Sequence, residues 1–305
     1  MSKYSRNNIA LISGSSNPLL AQKIARLLGV HLTRREISAF PNNEVRIRIL
    51  GELKDKNVFI LQSTNHLAER SIIELSLLAD STKRLGAKRI VALIPWFGYT
   101  PQDKVFRKGE PLSSEIITRM LEASPIDEFV VIDIHSPLNL EYFKKPVHHL
   151  SAMGEFIKYF KNKLKGDWCS VALDNGARER AKEFADALKV PLASFDKTRH
   201  KKTGEVTMHC LEGNVSGMNV ISFDDFVSTG GTRIKGSAFL KQEGAKKYLD
   251  CVTHLLVPET IQNIEESTID KMYITDSIFL EPKWKSKKIK VLTITPILAD
   301  FIKQY

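Results

Sequence analysis

The chain has 305 residues, of which 43% are hydrophobic and 26% charged, and these are ordinary proportions for a folded globular protein. They argue against wholesale disorder, collagen and coiled coil, and the sequence contains no run of about 18 apolar residues that could cross a membrane. The net charge of +10, from 45 basic and 35 acidic residues, favours an anionic ligand such as nucleic acid, an anionic membrane or a phosphorylated metabolite.

The cellular compartment can be predicted from the composition of the N-terminus and the spacing of the cysteines. Residues 1–8 are polar and lack the apolar stretch of a signal peptide. Cys169, Cys210 and Cys251 lie far apart and form neither a metal-ligand spacing nor a disulfide framework. We therefore expect a protein of the reducing cytoplasm.

Short apolar segments alternate with amphipathic segments along the chain. The apolar segments predict strands at 9–13, 57–62, 90–94, 129–134, 170–173, 219–223, 249–256 and 289–293. The amphipathic segments predict helices at 18–28, 71–85, 113–121, 177–188, 232–243 and 296–303. Strands that are apolar throughout and alternate with helices indicate an α/β protein, with mostly parallel sheets covered by helices.

One internal repeat is visible. Asn-Val-Phe-Ile at 57–60 recurs as Asn-Val-Ile-Ser at 219–222, and Gly-Ala-Lys at 86–88 recurs at 244–246. The two copies keep nearly the same spacing within the same strand–helix–strand pattern. This predicts a duplicated α/β domain, with one domain at 1–150 and the other at 151–305.

The sharpest local motif follows the strand predicted at 219–223. Two acids, Asp224 and Asp225, precede a polar, glycine-containing run that leads into a helix and consists of Ser228, Thr229, Gly230, Gly231 and Thr232. Glycines let backbone N–H groups approach an anion, and a helix N-terminus attracts negative charge. Adjacent carboxylates suit sugar hydroxyls, directly or through a divalent cation. The motif predicts a ribose ring with its phosphate in the loop; the alternative is an ordinary helix N-cap.

The first copy of the repeat has a different sequence at the corresponding position. It reads Gln-Ser-Thr-Asn-His at 62–66, without the acids and without the glycines. We therefore expect the two domains to have different functions, with the sugar-phosphate loop in the second domain only.

Several further motifs occur in a fixed order along nearly the whole chain. They are Ser-Gly-Ser-Ser-Asn-Pro at 13–18, Phe-Pro-Asn-Asn-Glu-Val at 40–45, Pro-Trp-Phe-Gly-Tyr at 95–99, Gln-Asp-Lys at 102–104, Asp-Ile-His at 133–135, Asp-Lys-Thr-Arg at 196–199, the 224–232 loop, and Thr-Asp-Ser-Ile at 275–278. Because these motifs occur in this order, the chain resembles the ribose-phosphate pyrophosphokinases, also called phosphoribosyl-pyrophosphate synthetases. Ser228 and Gly-Glu-Pro-Leu-Ser at 109–113 are more similar to the archaeal-type branch of that family.

The resemblance implies a fold and a reaction. The fold would be two tandem phosphoribosyltransferase-like domains, with the terminal helix at 296–303 packed back on the first. The reaction would transfer the β,γ-diphosphoryl group of ATP to the C1 hydroxyl of ribose 5-phosphate, giving phosphoribosyl pyrophosphate and AMP. The implied partners are these two substrates and further copies of the chain, in a dimer or hexamer, with no nucleic acid and no membrane.

The resemblance also implies roles for individual residues. ATP would be bound by Asn42, Asn43, Glu44, Gln102 and Asp103; Mg²⁺ by His135 and Asp174; and ribose 5-phosphate by Asp224, Asp225, Ser228, Thr229, Gly230, Gly231 and Thr232. Lys197 and Arg199 would be catalytic, on a mobile basic loop over the reacting phosphates. Positive charge of this kind is what phosphoryl transfer requires, because the protein contributes positioning and electrostatic stabilisation rather than covalent chemistry.

The sequence departs from the family pattern at Pro101, where the family has an arginine before Gln-Asp. Loss of a charge-assisted hydrogen bond costs roughly 1.5–3 kcal/mol, although Lys104 or Arg107 in the same loop is available to compensate. The alternative interpretation is a catalytically weak or silent homologue that acts as a regulatory or ligand-binding subunit. A basic nucleic-acid-binding module is a third interpretation, which rests only on the net charge.

Overall fold

The computed structural model describes residues 6–65, 67–199 and 206–305, and the side chains of residues 6 and 196–210 lie outside that description. The chain forms two compact units. The first runs to Ser151 and also includes Ser277–Phe279 and Thr293–Tyr305, and the second comprises Ala152–Asp276 and Leu280–Leu292. No helix in the described ranges is long and apolar enough to span a bilayer.

The strands and helices follow one another along the chain in an α/β order. The strands are β1 (Ile9–Ser13), β2 (Arg35–Ala39), β3 (Val45–Ile49), β4 (Asn57–Leu61), β5 (Arg89–Ile94), β6 (Glu128–Ile132), β7 (Val147–Leu150), β8 (Trp168–Ala172), β9 (Leu192–Arg199), β10 (Val206–Glu212), β11 (Asn219–Val227), β12 (Lys247–Leu255), β13 (Lys271–Thr275) and β14 (Ile289–Leu292). The helices are α1 (Pro18–Leu28), α2 (Ala68–Arg84), α3 (Ser113–Glu122), α4 (Leu138–Glu141), α5 (Met153–Phe160), α6 (Arg178–Leu188), α7 (Gly231–Gln242), α8 (Thr260–Glu266) and α9 (Thr295–Ile302). This confirms the predicted α/β class.

The first unit is built on a parallel five-stranded sheet in the order β1-β4-β5-β6-β7. Its central strands are buried on both faces, as their apolar sequences require: β4 buries Val58, Phe59 and Ile60. Helix α2 covers one face with apolar residues three to four positions apart, including Leu75 and Leu78. A separate antiparallel hairpin, β2–β3, carries the 40–45 motif at its turn.

The second unit contains a seven-stranded sheet in the order β10-β9-β8-β11-β12-β13-β14. All neighbouring strands in this sheet pair in parallel except β9 and β10, which pair antiparallel with each other. Strands β11 and β12 lie at the centre of the sheet and are almost wholly buried. Because parallel strands end at one edge of the sheet, the segments that follow β8 and β11 lie at the same edge.

The internal repeat is visible in the backbone. Gly86 and Gly244 both have left-handed φ angles, of 78° and 87°, and each ends the helix of its copy. The alanine after each glycine donates back into its helix, and the lysine that follows donates to the residue before the first strand, Lys88 to Lys56 and Lys246 to Met218. The two Gly-Ala-Lys turns therefore make the same hydrogen bonds in the two units.

Several strands do not follow from hydrophobic patterning. Strands β2 and β3 alternate charged with apolar residues, and β7 and β10 are polar and histidine-containing. Strand β11 also runs through Asp224 and Asp225 to Val227, instead of ending at 223. The prediction ended it too early because carboxylates are disfavoured in buried strands unless partners compensate them.

The end of the chain is bound to the first unit by a polar cluster around Glu128. The Glu128 carboxylate accepts hydrogen bonds from the Tyr305 hydroxyl and from His148 at 2.9 Å, and it pairs with Arg89 at 3.0 Å. The Tyr305 ring also packs edge-on against Phe59. Burial alone would raise the pKa of Glu128, but the hydrogen bonds from Tyr305 and His148 and the charge of Arg89 outweigh it and lower the pKa.

We predict that Glu128→Gln lowers the free energy of unfolding at neutral pH by about 1–3 kcal/mol, because it removes charged hydrogen bonds at a buried site. A lowered folded-state pKa contributes stability above the ordinary glutamate pKa, and that contribution disappears as the pH falls through the lowered value. Melting curves between pH 7 and pH 3 should therefore show wild type and variant converging at acid pH. The exposed Glu141→Gln is the control, and equal effects of the two variants would contradict the prediction.

Candidate functional site

Asp224 and Asp225 lie near the carboxyl end of β11, where open parallel sheets bind ligands. The side chain of Asp224 is 14% exposed and that of Asp225 only 3%. Each carboxylate accepts a backbone hydrogen bond from the residue after it, at 3.0 Å and 2.9 Å respectively. The two acids predicted to receive a sugar are thus held within the strand.

Two arginines compensate these acids. Arg180 of α6 donates to Asp224 Oδ1 at 2.9 Å and lies 3.3 Å from Asp225 Oδ1. Arg233 of α7 donates to Asp224 Oδ2 at 2.8 Å. Burial raises the pKa of Asp224, against the attraction of Arg233, and the neighbouring Asp225 adds to the rise.

A third acid is connected to this pair through Arg233. Asp250 of β12 is fully buried and accepts hydrogen bonds from Arg233 Nη1 at 2.6 Å and from the Ser222 hydroxyl at 2.7 Å. The Ser222 and Tyr248 hydroxyl oxygens are 2.8 Å apart. Burial lowers the pKa of Arg233, but the charges of Asp250 and Asp224 outweigh it, and the pKa is raised. Arg233 therefore stays protonated between two carboxylates.

The glycine loop follows directly and opens α7. Gly230 has a left-handed φ of 79°, and a Cβ at this position would lie 3.0 Å from Thr260 Cγ2. Around Gly231, by contrast, a Cβ would meet no described atom within 4 Å. The Thr260 hydroxyl donates to the Ser228 carbonyl and fastens the loop to α8. The first turn of α7 thus presents backbone N–H groups beside open space, with the hydroxyls of Thr229 and Thr232 at least partly exposed.

In the first unit the corresponding strand end is filled by its own side chains. Gln62 accepts a hydrogen bond from the Ser16 amide at 3.1 Å and donates to the buried Glu74 at 3.0 Å. Glu74 also accepts from the Ser15 amide at 2.6 Å. A Cβ on Gly14 would lie 2.1 Å from Gln62 Oε1, so a larger residue there would displace the Gln62 amide. These bonds occupy the position that the second unit leaves open; His66 lies outside the described residues.

Three of the residues predicted to bind ATP lie at the exposed β2–β3 turn. Asn43 has a left-handed φ of 68°, which asparagine tolerates better than most residues. Its amide donates to the Phe40 carbonyl at 2.8 Å, and the Glu44 amide donates to Asn42 Oδ1 at 3.3 Å. The turn therefore presents Asn42, Asn43 and Glu44 to solvent in a fixed conformation.

The other two residues predicted to bind ATP, Gln102 and Asp103, lie in the loop after β5. Gln102 Oε1 accepts a hydrogen bond from the Ser113 hydroxyl at 2.6 Å, and the buried Asp103 accepts one at its backbone carbonyl from Tyr142 at 2.7 Å. Pro101 is half-buried beside them. Lys104 is exposed and lies over the Phe106 ring, 5.3 Å from its centroid.

The two residues predicted to bind metal follow strands in different units. His135 is half-buried two residues after Asp133, a non-glycine residue with a positive φ of 40°. Asp174 is half-buried after β8, and its Oδ1 accepts from the Ala177 amide at 2.9 Å. No group of three or more His, Cys, Asp or Glu side chains among the described residues could hold a metal by itself.

The predicted catalytic pair lies in a strand and not in a loop. The backbones of Lys197 and Arg199 belong to β9, in register with Met208 and Val206 of β10. Their side chains lie outside the described part of the chain, as do residues 200–205 of the predicted mobile loop. The sequence suggested a loop because residues 197–204 are mostly basic or polar and end in glycine.

Sequence reasoning missed Arg180, Arg233 and Asp250. The two arginines lie in helices whose polar residues are typical of a solvated face, and Asp250 interrupts an apolar strand without any motif. A usable signal existed at Arg233, since a cation in the first turn of a helix is disfavoured unless acids are close.

We predict that Gly230→Ala lowers the free energy of unfolding by about 1–2 kcal/mol, because its left-handed backbone disfavours a Cβ and Thr260 leaves little room. Gly231→Ala is the matched control, and we expect a change within about 0.5 kcal/mol. Urea denaturation of both variants measures the difference. Equal destabilisation by the two would show that the loop conformation differs from this one.

Comparison with known proteins agrees with this arrangement. The model of the N-terminal domain of ribose phosphate pyrophosphokinase matches residues 9–124, and that of the phosphoribosyl transferase domain matches residues 167–287. The ribose-phosphate pyrophosphokinase of Caldanaerobacter subterraneus is 34% identical over 99% of this chain and 96% of its own, and that of Bacillus subtilis is 33% identical over 98% and 95%. The crystal structure of phosphoribosylpyrophosphate synthetase from Mycobacterium smegmatis matches with a TM-score of 0.90 and 29% identity, over 97% of this chain and 98% of that chain. The chain therefore belongs to the ribose-phosphate pyrophosphokinase family.

Proposed function

We propose that this chain is a ribose-phosphate diphosphokinase, which transfers the β,γ-diphosphoryl group of ATP to the C1 hydroxyl of ribose 5-phosphate. The observation that carries the proposal is the site of the second unit, where compensated acids adjoin an open glycine turn at a helix start. Family membership makes this reaction the expected one.

The site matches the two ends of ribose 5-phosphate. Asp224 and Asp225 supply acceptors for hydroxyl groups, and their charge is partly balanced by Arg180 and Arg233. The 5-phosphate is dianionic and suits the N–H groups of the first turn of α7. Ser228, Thr229 and Thr232 add hydroxyl donors, and Gly230 and Gly231 let the backbone approach the phosphate closely.

We assign ATP to the first unit. The exposed turn at Asn42, Asn43 and Glu44 offers amide and carboxylate groups that could recognise a nucleoside. The loop with Gln102 and Asp103 is held by hydrogen bonds to Ser113 and Tyr142. The assignment of these five residues rests on the family pattern and on their placement in two well-ordered turns.

In the proposed reaction the C1 hydroxyl oxygen attacks the β-phosphorus of ATP. A bond forms between this oxygen and the β-phosphorus, and the bond from the β-phosphorus to the bridging oxygen breaks. The electron pair leaves with AMP, and the hydroxyl proton is released. Negative charge develops on the leaving oxygen, so that cationic Lys197 and Arg199 would lower the barrier by electrostatic stabilisation.

The family relationship also implies Mg²⁺, and we propose His135 in the first unit and Asp174 in the second as candidate ligands for it. Mg²⁺ prefers oxygen ligands and often takes only one or two carboxylates, with water and substrate phosphates completing its shell. The half-buried carboxylate of Asp174 after a strand end fits that pattern. When bound, the ion would neutralise charge on the triphosphate.

We also propose that the chain forms a homo-oligomer, a dimer or a hexamer as in the family. Exposed apolar residues on two helices of the first unit support this proposal. Ile73 and Leu77 of α2 are 45% and 40% exposed, and Ile116 and Met120 of α3 are 48% and 49% exposed. Each pair is one helical turn apart, so each forms an apolar stripe.

The alternative of a silent regulatory homologue rests on Pro101, and catalysis tests it directly. We expect AMP release that depends on ATP, Mg²⁺ and ribose 5-phosphate together. We predict that Lys197→Ala lowers kcat by about a hundredfold or more, because it removes positive charge from the reacting phosphates. The exposed Lys165→Ala is the control for loss of one surface charge. No release from the wild-type chain would favour the silent homologue, and full turnover of the Lys197 variant would show that this residue is not catalytic.

We predict that Asp225→Asn raises KM for ribose 5-phosphate by about ten- to a hundredfold, with little change in KM for ATP, because a charged acceptor becomes neutral. Steady-state kinetics with each substrate varied in turn measures both constants. Asp186→Asn, at an exposed position of α6, is the control. A rise in KM for ATP alone would place the sugar elsewhere.

A further inference from the structure

Arg233 occupies a position where a cation is normally disfavoured. It is the third residue of α7, within the first turn, where the helix dipole opposes positive charge. Its side chain is only 5% exposed, so its charge also loses most of its hydration. A buried guanidinium in this place requires strong compensation.

That compensation comes from three directions. Nη1 pairs with Asp250 Oδ1 at 2.6 Å, and Nη2 pairs with Asp224 Oδ2 at 2.8 Å. Nη2 also donates to the Phe226 carbonyl at 3.3 Å. One rigid planar group therefore connects the neighbouring strand β12, the acid of the sugar site and the segment that enters the glycine loop.

This connection leaves Asp224 little rotational freedom. Arg233 holds its Oδ2, while Arg180 and the Asp225 amide hold its Oδ1 at 2.9 Å and 3.0 Å. Arg233 is also the neighbour of Thr232 in the chain, so the guanidinium fixes the start of α7 relative to Asp224. The phosphate end and the sugar end of the site are thereby held at a set separation.

We infer that Arg233, anchored by Asp250, is a positioning residue for ribose 5-phosphate. It holds Asp224 and the glycine loop in the binding geometry before the substrate arrives, so less ordering is needed on binding. The inference rests on the proposed function, because it assumes that Asp224 faces the sugar. Arg233 itself does not need to touch the substrate.

The test is the double variant Arg233→Met with Asp250→Ala. Removing one partner of a buried pair leaves an uncompensated charge, whereas removing both is often neutral for stability. Ser222 and Tyr248 can still hydrogen-bond to each other when Asp250 is gone. We expect a melting temperature close to that of wild type and a Kd for ribose 5-phosphate, from calorimetry, raised about tenfold or more.

Kinetics separates positioning from a general structural role. We expect KM for ribose 5-phosphate to rise, with KM for ATP and kcat at saturating ribose 5-phosphate within about twofold of wild type, since only pre-organisation of one site is lost. Tyr248→Phe removes a hydroxyl from the same cluster but leaves both bridges of Arg233 in place, so its Kd should match that of wild type.

The possible outcomes are distinguishable. A stable double variant that binds ribose 5-phosphate as tightly as wild type overturns the inference and leaves the proposed function intact. A wild-type chain that takes up no ribose 5-phosphate overturns both. If the double variant fails to fold, Arg233→Lys replaces it, because lysine keeps the buried positive charge but lacks the planar fork that bridges Asp250 and Asp224; its Kd for ribose 5-phosphate should rise, and an unchanged Kd would refute positioning.

Discussion

Burial of carboxylates at the end of a central strand is the constraint on which the second unit depends. Asp224, Asp225 and Asp250 would be too costly to bury together without cations. Arg180 and Arg233 supply these cations from two different helices, so ion pairs tie α6 and α7 to the sheet. The proposed sugar site and the packing of this unit are therefore parts of one electrostatic arrangement.

The two units share one strand–helix–strand pattern but differ in the side chains at the strand end. The Gly-Ala-Lys turns are equivalent in their hydrogen bonds, and so the scaffold is the same. At the strand end, however, Gln62 and Glu74 fill one copy with internal hydrogen bonds, whereas the glycine loop leaves the other open. The same backbone position is therefore closed by side chains in one unit and exposed in the other.

Sequence reasoning predicted most of the buried framework and the residues of the loop. Strand β1 and helix α1 have the predicted bounds because apolar residues and Pro18 mark them clearly. The hairpin β2–β3 was missed since its alternation of charged and apolar residues is short and its faces are largely exposed. Asp250 was missed for another reason: its pairing with Arg233 joins two segments that are distant in sequence, and nothing in the residues around Asp250 indicates that pairing.

The first unit is completed by residues from the far end of the chain. Helix α9 belongs to this unit, the Ser277 carbonyl accepts a hydrogen bond from Ser63 at 2.7 Å, and Tyr305 bonds to Glu128. A fragment that ends after β7 would contain the complete five-stranded sheet but would lack α9, whose buried apolar residues belong to the same unit.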